Sequence, residues 1–209
     1  MPTSPNALKK TIENYYRFHS LIYDYSRWPI LFGRNQLIRN VNLEQHSCRI
    51  LEVGCGTGYN LLRIHQRYPH AHLTGLDTSA HMLSKAKKKL ANCSTITFKE
   101  CLFEKSAFNI NERYDLIIFS YCLSMFHHNW KQAIDDANAL LYSKGQVAVV
   151  DFDYTNYTMT RDIWEGVHVK MEGHLSPYFH QTFSKSKSKS ISCYGGLWHY
   201  FFFIGQKLD

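Results

Sequence analysis

The chain has 209 residues, 44% of them hydrophobic, which suits one α/β unit with a sizeable core. Its formal net charge of +7 admits an acidic partner such as a membrane surface, but no nucleic-acid module signature accompanies the charge, so nucleic acid is not expected. No apolar run approaches the roughly 20 residues of a spanning helix, and residues 2–10 are polar, unlike a secretory leader. The six cysteines, at 48, 55, 93, 101, 122 and 193, make no C-x-x-C and no zinc spacing with histidine. They read as small core residues, so a cytoplasmic chain with no metal is the expectation.

In chain order, residues 6–45 read as helical. Tyr15, Tyr16, Phe18, Leu21, Ile22 and Tyr23 are too densely apolar for a solvated tail, which predicts an N-terminal cap packed on the core. Strand patterns follow at 49–53, 72–76, 95–99, 114–119 and 146–152, with helices near 59–67, 79–90 and 130–141. Runs such as Leu116-Ile117-Ile118-Phe119 and Val147-Ala148-Val149-Val150 are those of parallel strands covered on both faces. After a helical stretch around 160–171, two β patterns flank Gly195-Gly196, a hairpin signal. The expectation is an α/β fold: a doubly wound, mostly parallel seven-stranded sheet with a terminal antiparallel hairpin and an N-terminal helical cap. It is read as one domain, with the cap at 1–45 and the core at 46–209.

The most informative stretch is Leu51-Glu52-Val53-Gly54-Cys55-Gly56-Thr57-Gly58, a strand breaking into a glycine-rich turn and then a helix. Glycines at alternate positions permit close approach to a ligand. The amides there, with a helix N-terminus behind them, favour an anionic or carboxylate-bearing group. Asp77, at the end of the second strand, is placed to accept ribose hydroxyls. Together they predict a nucleoside-containing cofactor. A dinucleotide fingerprint needs a third glycine where this chain has Tyr59, and no G-x-x-x-x-G-K-[ST] is present.

The run with Glu52 ahead of it resembles motif I of the class I S-adenosylmethionine methyltransferases. Gly75-Leu76-Asp77-Thr78-Ser79 with Met82-Leu83 resembles the segment that follows that motif. The resemblance implies S-adenosyl-L-methionine as cofactor and Glu52, Gly54, Cys55, Gly56, Gly58, Asp77, Thr78, Met82, Phe103, Ser120 and Tyr16 around it. Leu102 stands about where many such enzymes place an acid near the adenine, so the adenine would rest on backbone groups and apolar contacts.

Methyl transfer from a sulfonium is mostly alignment, but an amine acceptor must lose a proton first. Candidates for that role lie after the fourth strand, in Ser120-Tyr121-Cys122-Leu123-Ser124-Met125-Phe126-His127-His128. Tyr121 or His127 is placed to orient or deprotonate a substrate; His128 serves equally well as a helix cap, and Phe126 reads as core. Tyr23 is the candidate from the N-terminal segment. Tyr15, Tyr23, Trp28 and Tyr121 are candidates for an aromatic cage around an ammonium group.

A narrower resemblance rests on 16–24 (Tyr16-Arg17-Phe18-His19-Ser20-Leu21-Ile22-Tyr23-Asp24), Ser26-Arg27-Trp28 and Leu31-Phe32-Gly33-Arg34. It extends to 119–125, to Val149-Val150-Asp151-Phe152 and to the ending at 196–205. These segments are similar to those of the diacylglycerylhomoserine N-methyltransferases, which trimethylate the amino headgroup of betaine lipids. The resemblance implies a small-molecule or lipid-headgroup acceptor. Lys185-Ser186-Lys187-Ser188-Lys189 then has two readings: contact with an anionic membrane from the cytoplasmic side, or a solvated loop or charged guard on an edge strand, the reading that the run alone favours. A methyltransferase of a soluble small molecule and a non-catalytic module keeping the cofactor fold are the competing functions.

Overall fold

The computed structural model describes residues 30–43 and 47–208, apart from the side chain of Lys185. Seven strands form one sheet: β1 Arg49–Val53, β2 His72–Asp77, β3 Ile96–Glu100, β4 Tyr114–Ser120, β5 Leu141–Phe152, β6 Phe183–Cys193 and β7 Trp198–Lys207. Their order is β3-β2-β1-β4-β5-β7-β6. The first five are parallel, and β7 runs antiparallel between β5 and β6. The helices are α1 Arg34–Asn40, α2 Tyr59–Arg67, α3 Ala80–Lys89, α4 Trp130–Leu140, α5 Thr158–Glu165 and α6 Leu175–Thr182. The expected doubly wound sheet with its terminal antiparallel strands is the observed one. Strand order reverses between β1 and β4, so a crevice opens beyond their carboxyl ends.

The central strands of the sheet are buried on both faces, and the period of two sorts their apolar runs between two cores. Ala148, Val150, Tyr200, Phe202 and Ile204 join one core with residues of α1, α2 and α3. Val147, Val149, Phe201 and Phe203 join the other with residues of α4 and α6. The unbroken apolar look of β5 and β7 is two alternating faces, each covered.

Several boundaries differ from the sequence expectation. β5 begins at Leu141, before a register shift opposite Tyr114 and Leu116 that carries Lys144 at φ 62°. The expected helix at 160–171 is α5, which ends at Glu165; Val169 and Met171 are buried in the irregular segment beyond it. Helix α6 lies in a stretch to which the sequence expectation assigns no element, and its Pro177 sits in the first turn, where no intrahelical N–H is needed. β6 runs from Phe183 rather than from 190, and the Lys/Ser run is therefore edge strand. Its alternation is physical: Ser186 and Ser188 hydrogen-bond the two ring nitrogens of His180 at 3.2 and 2.9 Å, while Lys187 and Lys189 are exposed on the opposite face.

The expected N-terminal cap falls mostly outside the described residues, and Tyr15, Tyr16, Phe18, Leu21, Ile22, Tyr23 and Trp28 all lie there. Its described end holds α1, whose Leu37 and Ile38 are buried. No described helix is long and apolar enough to cross a membrane. Among the described residues no group of three or more His, Cys, Asp or Glu is arranged to hold a metal ion.

Candidate active site

The chain leaves β1 through Gly54 (φ 67°), Gly56 (φ 53°) and Gly58 (φ 76°), all left-handed. Two of them are required for different reasons. A Cβ on Gly54 would stand 2.8 Å from the Cβ of Cys122, whereas one on Gly56 would meet nothing within 4 Å. Gly54 is therefore a close approach between β1 and the segment after β4, and Gly56 faces open cleft. Gly58 packs toward Ala86 and Leu90 at α3 and is the sequence-predicted site residue that stays out of the cleft lining.

Two carboxylates frame this turn. Asp77 accepts the Gly56 amide on Oδ2 at 2.8 Å and the Ser79 amide on Oδ1 at 2.9 Å. Burial raises its pKa, and the amides of Ser79, Gly56 and Thr78 hold it back. Glu52 is buried in β1, with Oε1 accepting from Asn60 Nδ2 at 2.7 Å. Burial pushes its carboxyl up to about 8, against the pull of the Asn60 hydrogen bond and the Arg34 charge. Glu52 Oε2, Asn60 Oδ1 and Ser120 Oγ are buried without a hydrogen-bond partner. All three residues line one cleft of about 850 Å³. Buried polar atoms are normally paired, so this set is shaped for a polar guest.

The same cleft brings together Glu52, Gly54, Cys55, Gly56, Asp77, Thr78, Met82, Leu102, Phe103, Ser120, Tyr121 and His127. Met82 and Phe103 are buried beside the more exposed Leu102, an apolar wall at the ends of β2 and β3. Tyr16 and Tyr23 lie outside the described residues.

The segment after β4 separates the two described proton-transfer candidates. Tyr121 (φ 56°) is buried, its hydroxyl donating to the Phe32 carbonyl at 2.8 Å and its ring edge-on to Phe152. Burial and the nearby Asp151 charge raise its phenol well above the ordinary value. That geometry makes Tyr121 a fastening between the α1 entry and the sheet, with its proton already committed. His127 (φ 48°) is half-buried, and burial, His168 and Lys170 lower its pKa below 6.5. Both His127 and its neighbour His128 line the cleft.

Arg34, Asn60, Gln132 and Asp136 also line the cleft and were not singled out from the sequence. Arg34 reaches it from the first turn of α1, its guanidinium 4.3 Å from the Tyr59 ring centroid. Asp136 accepts from the Lys105 amide and from Gln132 Nε2, each at 2.8 Å. A signal existed for two of them: Asn60 sits with Leu61 and Ile64 on the buried face of α2, and Asp136 among Ala133, Ala137 and Leu140 on that of α4. A polar residue on an apolar face needs a partner.

Comparison with known proteins agrees with this geometry. Residues 50–145 match the family model described as a methyltransferase domain. A malonyl-[acyl-carrier protein] O-methyltransferase of Anoxybacillus flavithermus is 44% identical over 69 residues, 33% of this chain and 26% of that protein. The matched stretches span less than half the length of the curated relatives. Among solved structures, the Burkholderia thailandensis 1,6-didemethyltoxoflavin-N1-methyltransferase, bound to 1,6-didemethyltoxoflavin and S-adenosylhomocysteine, superposes with a TM-score of 0.72 at 14% identity, covering 100% of this chain and 92% of that one. The [4+2]-cyclase SpnF reaches 0.76 at 13% identity, covering 95% and 96%. The chain thus has the fold of the class I methyltransferases, with residues 50–145 matching a methyltransferase domain.

Proposed function

We propose that the chain is an S-adenosylmethionine-dependent methyltransferase acting on an amine, with a lipid headgroup as the favoured acceptor. The observation that carries the cofactor is the convergence of Asp77, the open Gly56 position, Glu52, Asn60 and Ser120 on one cleft. The Gly56 amide is on Oδ2 of Asp77 and the Ser79 amide on Oδ1, and a carboxylate has about four acceptor sites, which leaves capacity for a ribose hydroxyl. Glu52 and Arg34 stand close enough for the Arg34 charge to pull on the Glu52 carboxyl, a pairing that suits the ammonium and carboxylate of an amino acid. Met82, Leu102 and Phe103 offer an apolar slot to an adenine. When bound, S-adenosylmethionine supplies an electrophilic methyl group on a sulfonium.

The acceptor reading rests on His127. An ammonium has no lone pair, so an amine substrate must surrender a proton, and a neutral imidazole in the cleft is equipped to take it. A carboxylate acceptor, as in the malonyl-[acyl-carrier protein] relatives, arrives already deprotonated and gives His127 no such task. The apolar Leu31, Met125 and Phe126 in the same wall disfavour the ammonium form for the reason that burial disfavours imidazolium. A lipid-borne amine is favoured by the basic balance of the chain and by the exposed Lys187 and Lys189 of β6.

The test is transfer of labelled methyl from S-adenosylmethionine to three acceptors: vesicles with a primary-amine headgroup, soluble primary amines, and a malonyl acyl-carrier protein. Methylation of the vesicle amine supports the full reading, and of soluble amines alone the amine without the membrane. Methylation of the carboxylate alone overturns the amine reading. A folded chain that binds no S-adenosylhomocysteine overturns the cofactor and leaves a non-catalytic or cyclase-like use of the fold.

A further inference from the structure

Asp151, near the end of β5, is 0% exposed and takes part in no ion pair among the described residues. Its Oδ2 accepts the amides of Leu123 at 2.8 Å and Ser124 at 3.3 Å, and Oδ1 accepts the amide of Phe152 at 2.8 Å. Two of these three donors belong to the loop between β4 and α4, which carries His127 over the cleft. The loop has further ties: Tyr121 donates its amide to the Val150 carbonyl at 2.8 Å, and the Lys170 amide donates to the Ser124 carbonyl at 3.1 Å. It also holds two non-glycine residues in left-handed backbone, Tyr121 and His127. Each such residue is strained, and it persists only where the surroundings over-determine it.

A fully buried carboxylate without a counter-ion is itself unfavourable, and burial pushes Asp151 up to about 6 despite the Ser124 hydroxyl and the amides of Phe152, Ser124 and Leu123. An aliphatic residue would fill the space under the loop without that cost, but it would leave the Leu123 and Ser124 amides unpaired. The titratable groups facing Asp151 are Tyr121 and Cys122, both of which its charge helps to keep protonated and neutral, and the Ser124 hydroxyl lies beside it.

We propose that Asp151 is the positioning residue of the transfer site, its carboxylate gripping the Leu123 and Ser124 amides and so setting where His127 stands over the cleft. The proposal rests on the reading of His127 as proton acceptor, and it assigns Asp151 no contact with cofactor or substrate.

The test begins with the unaltered full chain. In amide-resolved NMR from about pH 5 to 8, the Leu123 and Ser124 resonances are expected to titrate together with a midpoint near 6, as their shared acceptor gains a proton. In Asp151→Ala both accepting oxygens are lost, and the Leu123 and Ser124 amides are left unpaired. We expect S-adenosylhomocysteine affinity by calorimetry to stay unchanged while kcat for methyl transfer falls about a hundredfold, the scale of an ångström-size misplacement. Loop amides that ignore pH in this range overturn the inference, and so does a variant that turns over normally. Equal loss of cofactor affinity and kcat also overturns it, since that marks a merely structural role. If the variant does not fold, the amide titration decides. Failure of the methyltransferase reading shows separately, as an unaltered chain that binds no S-adenosylhomocysteine.

Discussion

The Asp77 carboxylate accepts the amide of Gly56 at 2.8 Å, which ties the end of β2 to the one point of the glycine turn where a side chain would enter open cleft. The residue placed to hold a ribose is thus also the strut that shapes the turn beside it. A second tie, from Ser79 to Oδ1, links the same carboxylate to the N-cap of α3.

That double role changes what a substitution reports. Asp77→Ala removes strut and acceptor at once, so its effect belongs to neither alone. Asp77→Asn keeps the volume and one accepting oxygen. We expect it to stay folded and to lose about tenfold to a hundredfold in S-adenosylhomocysteine affinity by calorimetry, the scale of a charge-assisted hydrogen bond at 1.5–3 kcal/mol. Unchanged affinity in a folded variant would remove Asp77 from the cofactor site.

The glycines predict a contrast. Gly56→Ala bears a left-handed alanine, a cost on the order of 1–2 kcal/mol, and projects into the cleft without a clash. It should fold and bind cofactor poorly. Gly54→Ala adds the overlap with Cys122 to the same backbone cost, so its melting temperature should fall further. Equal melting temperatures for the two variants would contradict the assignment of Gly54 as the packing glycine.

Glu52 makes cofactor binding a proton event. Its carboxyl stands at about 8 in the folded chain against an ordinary 4.5, so near pH 7 it is mostly protonated before an ammonium approaches. A cation beside Oε2 favours the charged form, so binding should release a proton. Calorimetry at pH 7 in buffers of different ionisation enthalpy should give buffer-dependent heats, and Glu52→Gln should abolish that dependence. The sign for stability follows from the raised pKa. The contribution of the neutral carboxyl is whole below about pH 4.5 and lost as pH rises through about 8. The unliganded Glu52→Gln variant should therefore melt higher than the unaltered chain at pH 8 and much like it at pH 4.

The parallel core was legible because it follows from local rules. The apolar runs of β4 and β5, the turn after Val53 and Asp77 at the next strand end are all short-range signals. The site was legible wherever it lies on that turn. Missed parts depend on contacts far apart in sequence. Nothing near Tyr121 says that its hydroxyl will donate to Phe32, 89 positions away, and this contact turns a candidate proton acceptor into a fastening. The Lys/Ser alternation leaves loop and edge strand open, and the cover of its serine face by His180, six to eight positions away, goes with the strand.

His127 carries the last prediction. Burial, His168, Lys170 and His128 all lower its pKa, so the neutral form needed to accept a proton prevails above an acid limb placed below 6.5. Turnover on an amine should rise with pH along that limb and level off by neutrality. His127→Asn should remove the limb and lower the plateau by about a hundredfold, within the usual range for a general base, while leaving S-adenosylhomocysteine affinity intact. Lys170→Ala removes one of the charges that depress the imidazole, so it should move the midpoint toward higher pH. Tyr121→Phe, by contrast, loses one hydrogen bond to Phe32, a stability cost of about 1 kcal/mol, and should keep the acid limb where it was. A limb that stays in place in His127→Asn, or that vanishes in Tyr121→Phe, would move the proton acceptor to another residue.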